Sequence, residues 1–188
     1  MSDIEEYTSL RLPPKVYDRI EKEVVALYKK LHINEIPIKP FKIASQLGFV
    51  VKKYSSLSRK VLIELKTKEQ EGVSHYDPEL GTFVIYYDDT ITYSRIRFTI
   101  MHEIGHILLG HREESVLAKR MADYFAAYSL APSPLMDLFN CEDYIDVSDK
   151  FDVSPECADN CFDRFTNWTY YGGKIKPYEV ELLDLFHK

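Results

Sequence analysis

The sequence predicts a mostly helical α+β fold in which a small sheet of about three strands packs beside one apolar helix. Three observations predict it. Apolar residues recur at helical spacing over most of the chain, as at Val16, Ile20, Val24, Leu27 and Leu31. Short β-branched and aromatic runs are confined to one region, at Phe49 to Val51, Gly72 to Tyr76 and Thr82 to Tyr87. A strongly apolar helical stretch, about Arg95 to Leu109, follows that region directly.

The elements follow in order. Pro13-Pro14 opens the first long helix, because proline suits the first helical turn, where its missing N–H costs nothing. The stretch Ile36-Pro37-Ile38-Lys39-Pro40 ends that segment, and a short helix from Phe41 to Leu47 is stopped by Gly48. Phe49-Val50-Val51 reads as a strand, and residues 56–69 read as helix. Two further strands flank the turn Asp77-Pro78-Glu79-Leu80-Gly81, so a three-stranded meander is expected. Thr92 or Ser94 caps the apolar helix and Gly110 terminates it. A second helix runs from about Ser115 to Ala131, with Met121, Phe125 and Leu130 near its buried side and Pro132 after it. Short helices near Leu135 to Phe139 and Tyr144 to Lys150, and a longer one from Pro155 to about Trp168, lead to a turn at Tyr170-Tyr171-Gly172-Gly173. Pro177 starts a terminal helix carrying Val180, Leu183 and Phe186. The chain shows no internal repeat and no linker, and reads as a single domain over residues 1–188: an N-terminal helix within 1–34, a core over 35–132 and a helical part over 133–188.

Composition narrows the function. At 188 residues, 45% hydrophobic and 29% charged, the chain can bury a core without disulfides. The net charge of −6, with no basic tract beyond pairs such as Lys29-Lys30 and Lys52-Lys53, argues against direct nucleic-acid binding. Fourteen Tyr and ten Phe supply either a peptide-binding surface or a Tyr-rich core and shell. The three cysteines, Cys141, Cys157 and Cys161, contain no C-x-x-C pair, which reads as buried free thiols rather than a disulfide framework, with a separate structural zinc site as the alternative for Cys157 and Cys161. The acidic start Met1-Ser2-Asp3-Ile4-Glu5-Glu6 lacks an apolar signal region and no run approaches a membrane span, so a cytoplasmic protein is expected.

The chemistry concentrates in His102-Glu103-Ile104-Gly105-His106. Residues four apart on a helix advance about 400° and share a face, so the two imidazoles can hold one tetrahedral Zn²⁺. Glu103 leaves the helix at another angle. It is placed to take a proton from a zinc-activated water during attack on a peptide carbonyl, and to return it to the leaving amine. The motif lies among Phe98, Ile100, Met101, Ile104, Ile107, Leu108 and Leu109, and polar ligands in such a frame need a partner to offset their burial. Gly105, a small residue between the ligands, permits close approach by a substrate or a strand. The rival reading is a pair of hydrogen-bonded core histidines.

A catalytic zinc needs a third protein ligand and an open position. His111 is one candidate, but it follows Gly110 one residue earlier than in zincins with a downstream third histidine; otherwise it is a surface histidine past a helix end. The following helix is the other source. Gluzincin-like sites take a Glu there, with an acidic residue four positions later orienting a ligating histidine; here those positions hold Lys119 and Asp123.

Arg95 to His111 and Ala122-Asp-Tyr-Phe-Ala-Ala-Tyr-Ser-Leu-Ala-Pro132 together resemble the ImmA/IrrE family of small bacterial and phage zinc metallopeptidases. Pro40 to Gly48, Tyr87-Asp88-Asp89 and Phe151 to Ser154 extend the similarity over about residues 35–165. The resemblance implies that His102 and His106 bind zinc, that Glu103 is the base, and that a Glu stands where this chain has Lys119. Three arrangements follow from the lysine. Asp123 serves as the third metal ligand, or the histidines bind metal with added water or an exogenous ligand, or Lys119 pairs with Asp123 or Glu103 and fills the site as in a metal-poor pseudo-enzyme. As a second possibility for Asp123, its carboxylate fixes a histidine tautomer.

The same resemblance implies a protein substrate, a helix-turn-helix repressor of a mobile element or stress response. The substrate is expected to add as an extended strand at a sheet edge, taken here as Thr82 to Tyr87. A catalytically impaired binding module on the same fold is the alternative that Lys119 keeps open. Nothing in the sequence sets the oligomeric state.

Overall fold

A computed structural model of the chain describes residues 11–67, 70–113, 115–172 and 175–187. The acidic stretch Met1 to Glu6 and the last residue of the Tyr170–Gly173 turn lie outside the described residues.

Among the described residues the helices are α1 (Pro14–Leu31), α2 (Pro40–Gln46), α3 (Arg59–Thr67), α4 (Tyr93–Leu108), α5 (Val116–Leu130), α6 (Ser133–Leu138), α7 (Tyr144–Phe151), α8 (Pro155–Gly172) and α9 (Pro177–Phe186). The strands are β1 (Val50–Lys53), β2 (Gly72–Asp77) and β3 (Thr82–Tyr87). The fold is the mostly helical α+β arrangement with a three-stranded sheet that the sequence predicts. No described helix is long and apolar enough to cross a membrane.

The sheet differs from the expected meander. Its order is β1-β3-β2, with β1 parallel to β3 and β2 antiparallel to it. A parallel pairing needs a long crossover. The connection from β1 to β3, residues 54–81, supplies it through α3 and β2, so β1 takes the free side of β3 rather than pairing with β2. Thr82–Tyr87, expected as the edge, is therefore the central strand, and β2 is an edge strand flanking α4.

Local chemistry sets the ends of the helices. Proline opens α1, α2 and α9, where no intrahelical donor is lost. Ser115 caps α5 by accepting from Ala118 N at 3.1 Å, and Asp143 caps α7 by accepting from Asp146 N at 2.9 Å. Thr92 occupies the cap position of α4, its hydroxyl meeting that of Ser94 at 3.4 Å rather than accepting from a helix backbone N–H. Gly110, at φ 72°, ends that helix in the left-handed conformation that glycine adopts most readily. The longer reach of α8, to Gly172, carries the exposed Tyr170 and Tyr171 on helix rather than in a turn.

The core gathers α1, α4, α5, α6 and α9 around fully buried Ile100, Ile104, Phe125, Leu130 and Leu135, with Met121 partly buried at its margin. Helix α4 packs against α5 on one side and against α2, β2 and β3 on the other. Arg97 is an unexpected core residue. Its guanidinium, 2% exposed, donates to Phe151 O (3.1 Å) and Ile38 O (2.5 Å) and meets Asp152 Oδ2 at 2.8 Å. Those bonds satisfy a buried charge and fix α4 against the start of α2 and the end of α7.

Candidate active site

The site lies where the β2 edge, α4 and α5 meet, in a groove of about 610 Å³. His102, Glu103, His106, Lys119 and Asp123 all line it. Helical spacing puts the two histidines on one face of α4, and their Nε2 atoms converge at 3.0 Å. The outer nitrogens are held as well: His102 Nδ1 lies 2.8 Å from Asp123 Oδ1, and His106 Nδ1 lies 3.1 Å from His111 Nδ1. When ionised, Asp123 accepts from His102 Nδ1–H, which leaves the His102 Nε2 lone pair facing inward. Burial drives the local electrostatics. It raises Asp123 to about 7, while burial and then the neighbouring His106 and Lys119 charges lower His102 to about 3.

Glu103 is 7% exposed and faces the strand. Ser74 Oγ donates to Glu103 Oε2 at 2.7 Å. Gly72, two residues earlier on the same face of β2, brings the backbone so close that an added Cβ would strike Thr99 Cγ2 and lie 3.2 Å from Glu103 Cγ and Oε1. A glycine at this point of the strand lets the edge lie against the carboxylate. Beside it, Arg95 Nε meets Glu71 Oε2 at 2.5 Å.

The donors can be compared with what a zinc ion requires. Two imidazole ligands at 2.0–2.1 Å in a tetrahedral shell place their nitrogens about 3.3 Å apart, close to the separation found between His102 and His106. The pair and its Asp123 support therefore fit a divalent cation. Among the described residues, no group of three or more His, Cys, Asp and Glu is arranged to hold a metal. Lys119 stands on the groove wall at the position expected of a glutamate, and its charge reaches His102.

His102, Glu103, His106, Lys119 and Asp123, each singled out in the sequence, gather in one groove. Ser74 and Gly72 were not among them, although period-two alternation along β2 puts both on one face once the strand is placed beside α4. His111 is a hydrogen-bonded neighbour of His106 rather than a free surface residue, with Nε2 buried and unpartnered among the described residues. Gly105 admits neither substrate nor strand: an added Cβ there would meet Phe125 of α5 at 2.9 Å.

A family model described as the IrrE N-terminal-like domain, peptidase M78, matches residues 55–161, more than half of the chain. That interval contains the β2 edge, the motif helix and the helix bearing Lys119 and Asp123. No curated protein matches the chain.

Proposed function

The chain belongs to the peptidase M78 family of IrrE N-terminal-like domains, and from that premise we propose that it is a zinc-dependent endopeptidase acting in the cytoplasm on a regulatory protein, a helix-turn-helix repressor of a mobile element or stress response. The observation that carries this reading is the convergence of His102 and His106 Nε2 at 3.0 Å, with His102 Nδ1 anchored on Asp123. His102 and His106 would hold the ion. When bound, zinc supplies Lewis acidity, polarising a carbonyl and easing deprotonation of water.

The remaining work falls to the chain's own groups. Glu103 takes the proton of the attacking water and passes it to the leaving amine, and Ser74 holds one of its carboxylate oxygens. Asp123 sets the tautomer and ring angle of His102. Among the described residues β2 is an edge strand next to Glu103, and an extended substrate segment can add there as a further strand.

Lys119 favours a second reading, a protein-binding module with impaired catalysis, because an ammonium on the groove wall opposes a cation between the histidines. Elemental analysis and cleavage assays on wild type, Glu103→Gln and Lys119→Glu separate the two. The peptidase reading expects about one zinc per chain, cleavage abolished by Glu103→Gln with the fold intact, and tighter zinc in Lys119→Glu. Negligible zinc in the wild type, with partner binding unaltered by Glu103→Gln, establishes the binding module instead. Equal zinc affinity in wild type and Lys119→Glu, measured by chelator competition, overturns the argument that position 119 is a ligand position.

A further inference from the structure

Helix α8 carries two thiols that take no part in the groove. Cys157 and Cys161 stand one turn apart, with their sulfurs separated by 4.0 Å. Cys161 is 1% exposed, whereas Cys157 is half-buried and lines a second cavity of about 1080 Å³ between α1, α5 and α8. Arg164, on the next turn, also lines that cavity; its Nη2 donates to Cys161 Sγ at 3.1 Å and its guanidinium lies over the Tyr124 ring at 5.6 Å.

We propose that Cys157 and Cys161 form an oxidisable dithiol, which a hydroperoxide entering the α1–α5–α8 cavity converts to an intrahelical disulfide. Three features support this site. The hydrogen bond between the sulfurs raises the Cys157 thiol and favours the thiolate of Cys161, with burial opposing and the Arg164 charge reinforcing the latter, so Cys161 is the base that takes the Cys157 proton before attack. Only Cys157 of the two meets the cavity, so the pair has an entry sulfur and a sheltered resolving sulfur. Residues four apart on a helix have Cα atoms about 6 Å apart, within the disulfide range, while their Cβ atoms, about 5–6 Å apart, must close to about 4 Å, so the bond forms with a local tightening of this turn. The same guanidinium argues against a metal in this place, because it repels a bound cation.

The step balances. One thiol proton is lost to solvent and the other is shared by the two sulfurs. As that proton moves to Cys161, Cys157 Sγ attacks the peroxide: an S–O bond forms, the O–O bond breaks and hydroxide leaves, taking the Cys161 proton to become water. Cys161 Sγ then attacks the Cys157 sulfur, forming the S–S bond and expelling a second hydroxide, which recovers a proton from solvent. Two thiols are oxidised by two electrons and one hydrogen peroxide is reduced to two waters.

The test uses the reduced full chain treated with a small excess of hydrogen peroxide, followed by alkylation, digestion and mass spectrometry. A peptide lighter by two hydrogens and linking Cys157 to Cys161 is expected, at a rate independent of protein concentration. Cys141 should remain alkylated, since it is buried and does not line the cavity. Arg164→Gln should slow the reaction roughly tenfold. Cys161→Ser should halt at a Cys157 sulfenic acid that dimedone traps; should that variant not fold, the wild-type map alone decides. Over-oxidised Cys157 beside free Cys161, a pair that stays reduced, or a Cys141 that reacts as fast as the pair would overturn the proposal. This inference stands whether or not the groove is a peptidase site.

Discussion

Asp123 on α5 lies 2.8 Å from His102 Nδ1 on α4, so the acid and the first motif histidine bridge two closely packed helices. That contact leaves His102 Nε2 as the inward donor. Removing it in Asp123→Ala should weaken zinc binding by about 10–100-fold, the usual effect of losing a carboxylate that orients a ligating histidine. Asp123→Asn keeps an oxygen able to accept from Nδ1–H, so its loss should be the smaller. Zinc affinities from chelator competition check both. Equal losses in the two variants would assign Asp123 to the metal itself.

Gly105 predicts stability rather than activity. An alanine there places a methyl 2.9 Å from Phe125 Cδ1 and 3.1 Å from Cγ, and Phe125 is fully buried with little room to move. Gly→Ala inside a helix ordinarily gains about 1 kcal/mol. Overpacking of about 1–3 kcal/mol should exceed that gain, so Gly105→Ala is expected to lower Tm by a few degrees. Phe125→Leu in the same background should recover part of the loss. A rise in Tm for the single variant would show that α4 and α5 separate easily, contrary to this account.

The helices and the motif were legible because their signals are local. Pro14, Pro40 and Gly110 act within one turn, and the four-residue spacing of His102 and His106 converts directly into a shared face. Strand order was not legible, because β1 and β2 each satisfy a strand pattern and only long-range packing decides which sides of β3 they take. Ser74 and Gly72 share that origin: their importance depends on which strand borders α4. Arg97 was hidden for another reason. A charge in an apolar helix reads as surface until Ile38 O, Phe151 O and Asp152 are seen to surround it. The end of α8 was misjudged because Tyr170 and Tyr171 carry no breaker before Gly172, and an exposed helical end looks like a loop in sequence.

The surroundings of Arg97 make a sharp prediction. Arg97→Ala leaves two backbone carbonyls without their donor and opens space among α2, α4 and α7. A loss of about 3–5 kcal/mol is expected, comparable to breaking a buried charged contact. Arg97→Lys should rescue little, because one ammonium cannot replace a planar fork reaching three acceptors. Asp152→Asn should cost much less, since that carboxylate is 46% exposed. Urea titration measures all three, and an Arg97→Lys variant as stable as wild type would refute the fork argument.

The last prediction concerns pH and the joint between α1 and α9. Lys176 Nζ lies 2.6 Å from Asp18 Oδ1 and 3.2 Å from Glu21 Oε2, and Tyr178 donates to Glu21 at 2.5 Å. The hydrogen bond from Lys176 lowers the Asp18 carboxyl despite some burial, and the two carboxylates raise Lys176 although burial opposes this. A depressed carboxyl contributes stability above its unfolded value of about 3.9, lost as pH falls through the lower folded value. A raised lysine contributes below its unfolded value of about 10.4, lost as pH rises through the higher folded value. The joint should therefore be at full strength between those limits and weaken beyond each. Its exposure keeps the effect small, within about 1 kcal/mol. Lys176→Met should flatten both limbs of the stability-against-pH curve relative to wild type while leaving the groove unchanged. Thermal melts from pH 2 to 11 read this directly, and unaltered limbs in the variant would show that the ion pairs add nothing to how α9 is held on α1.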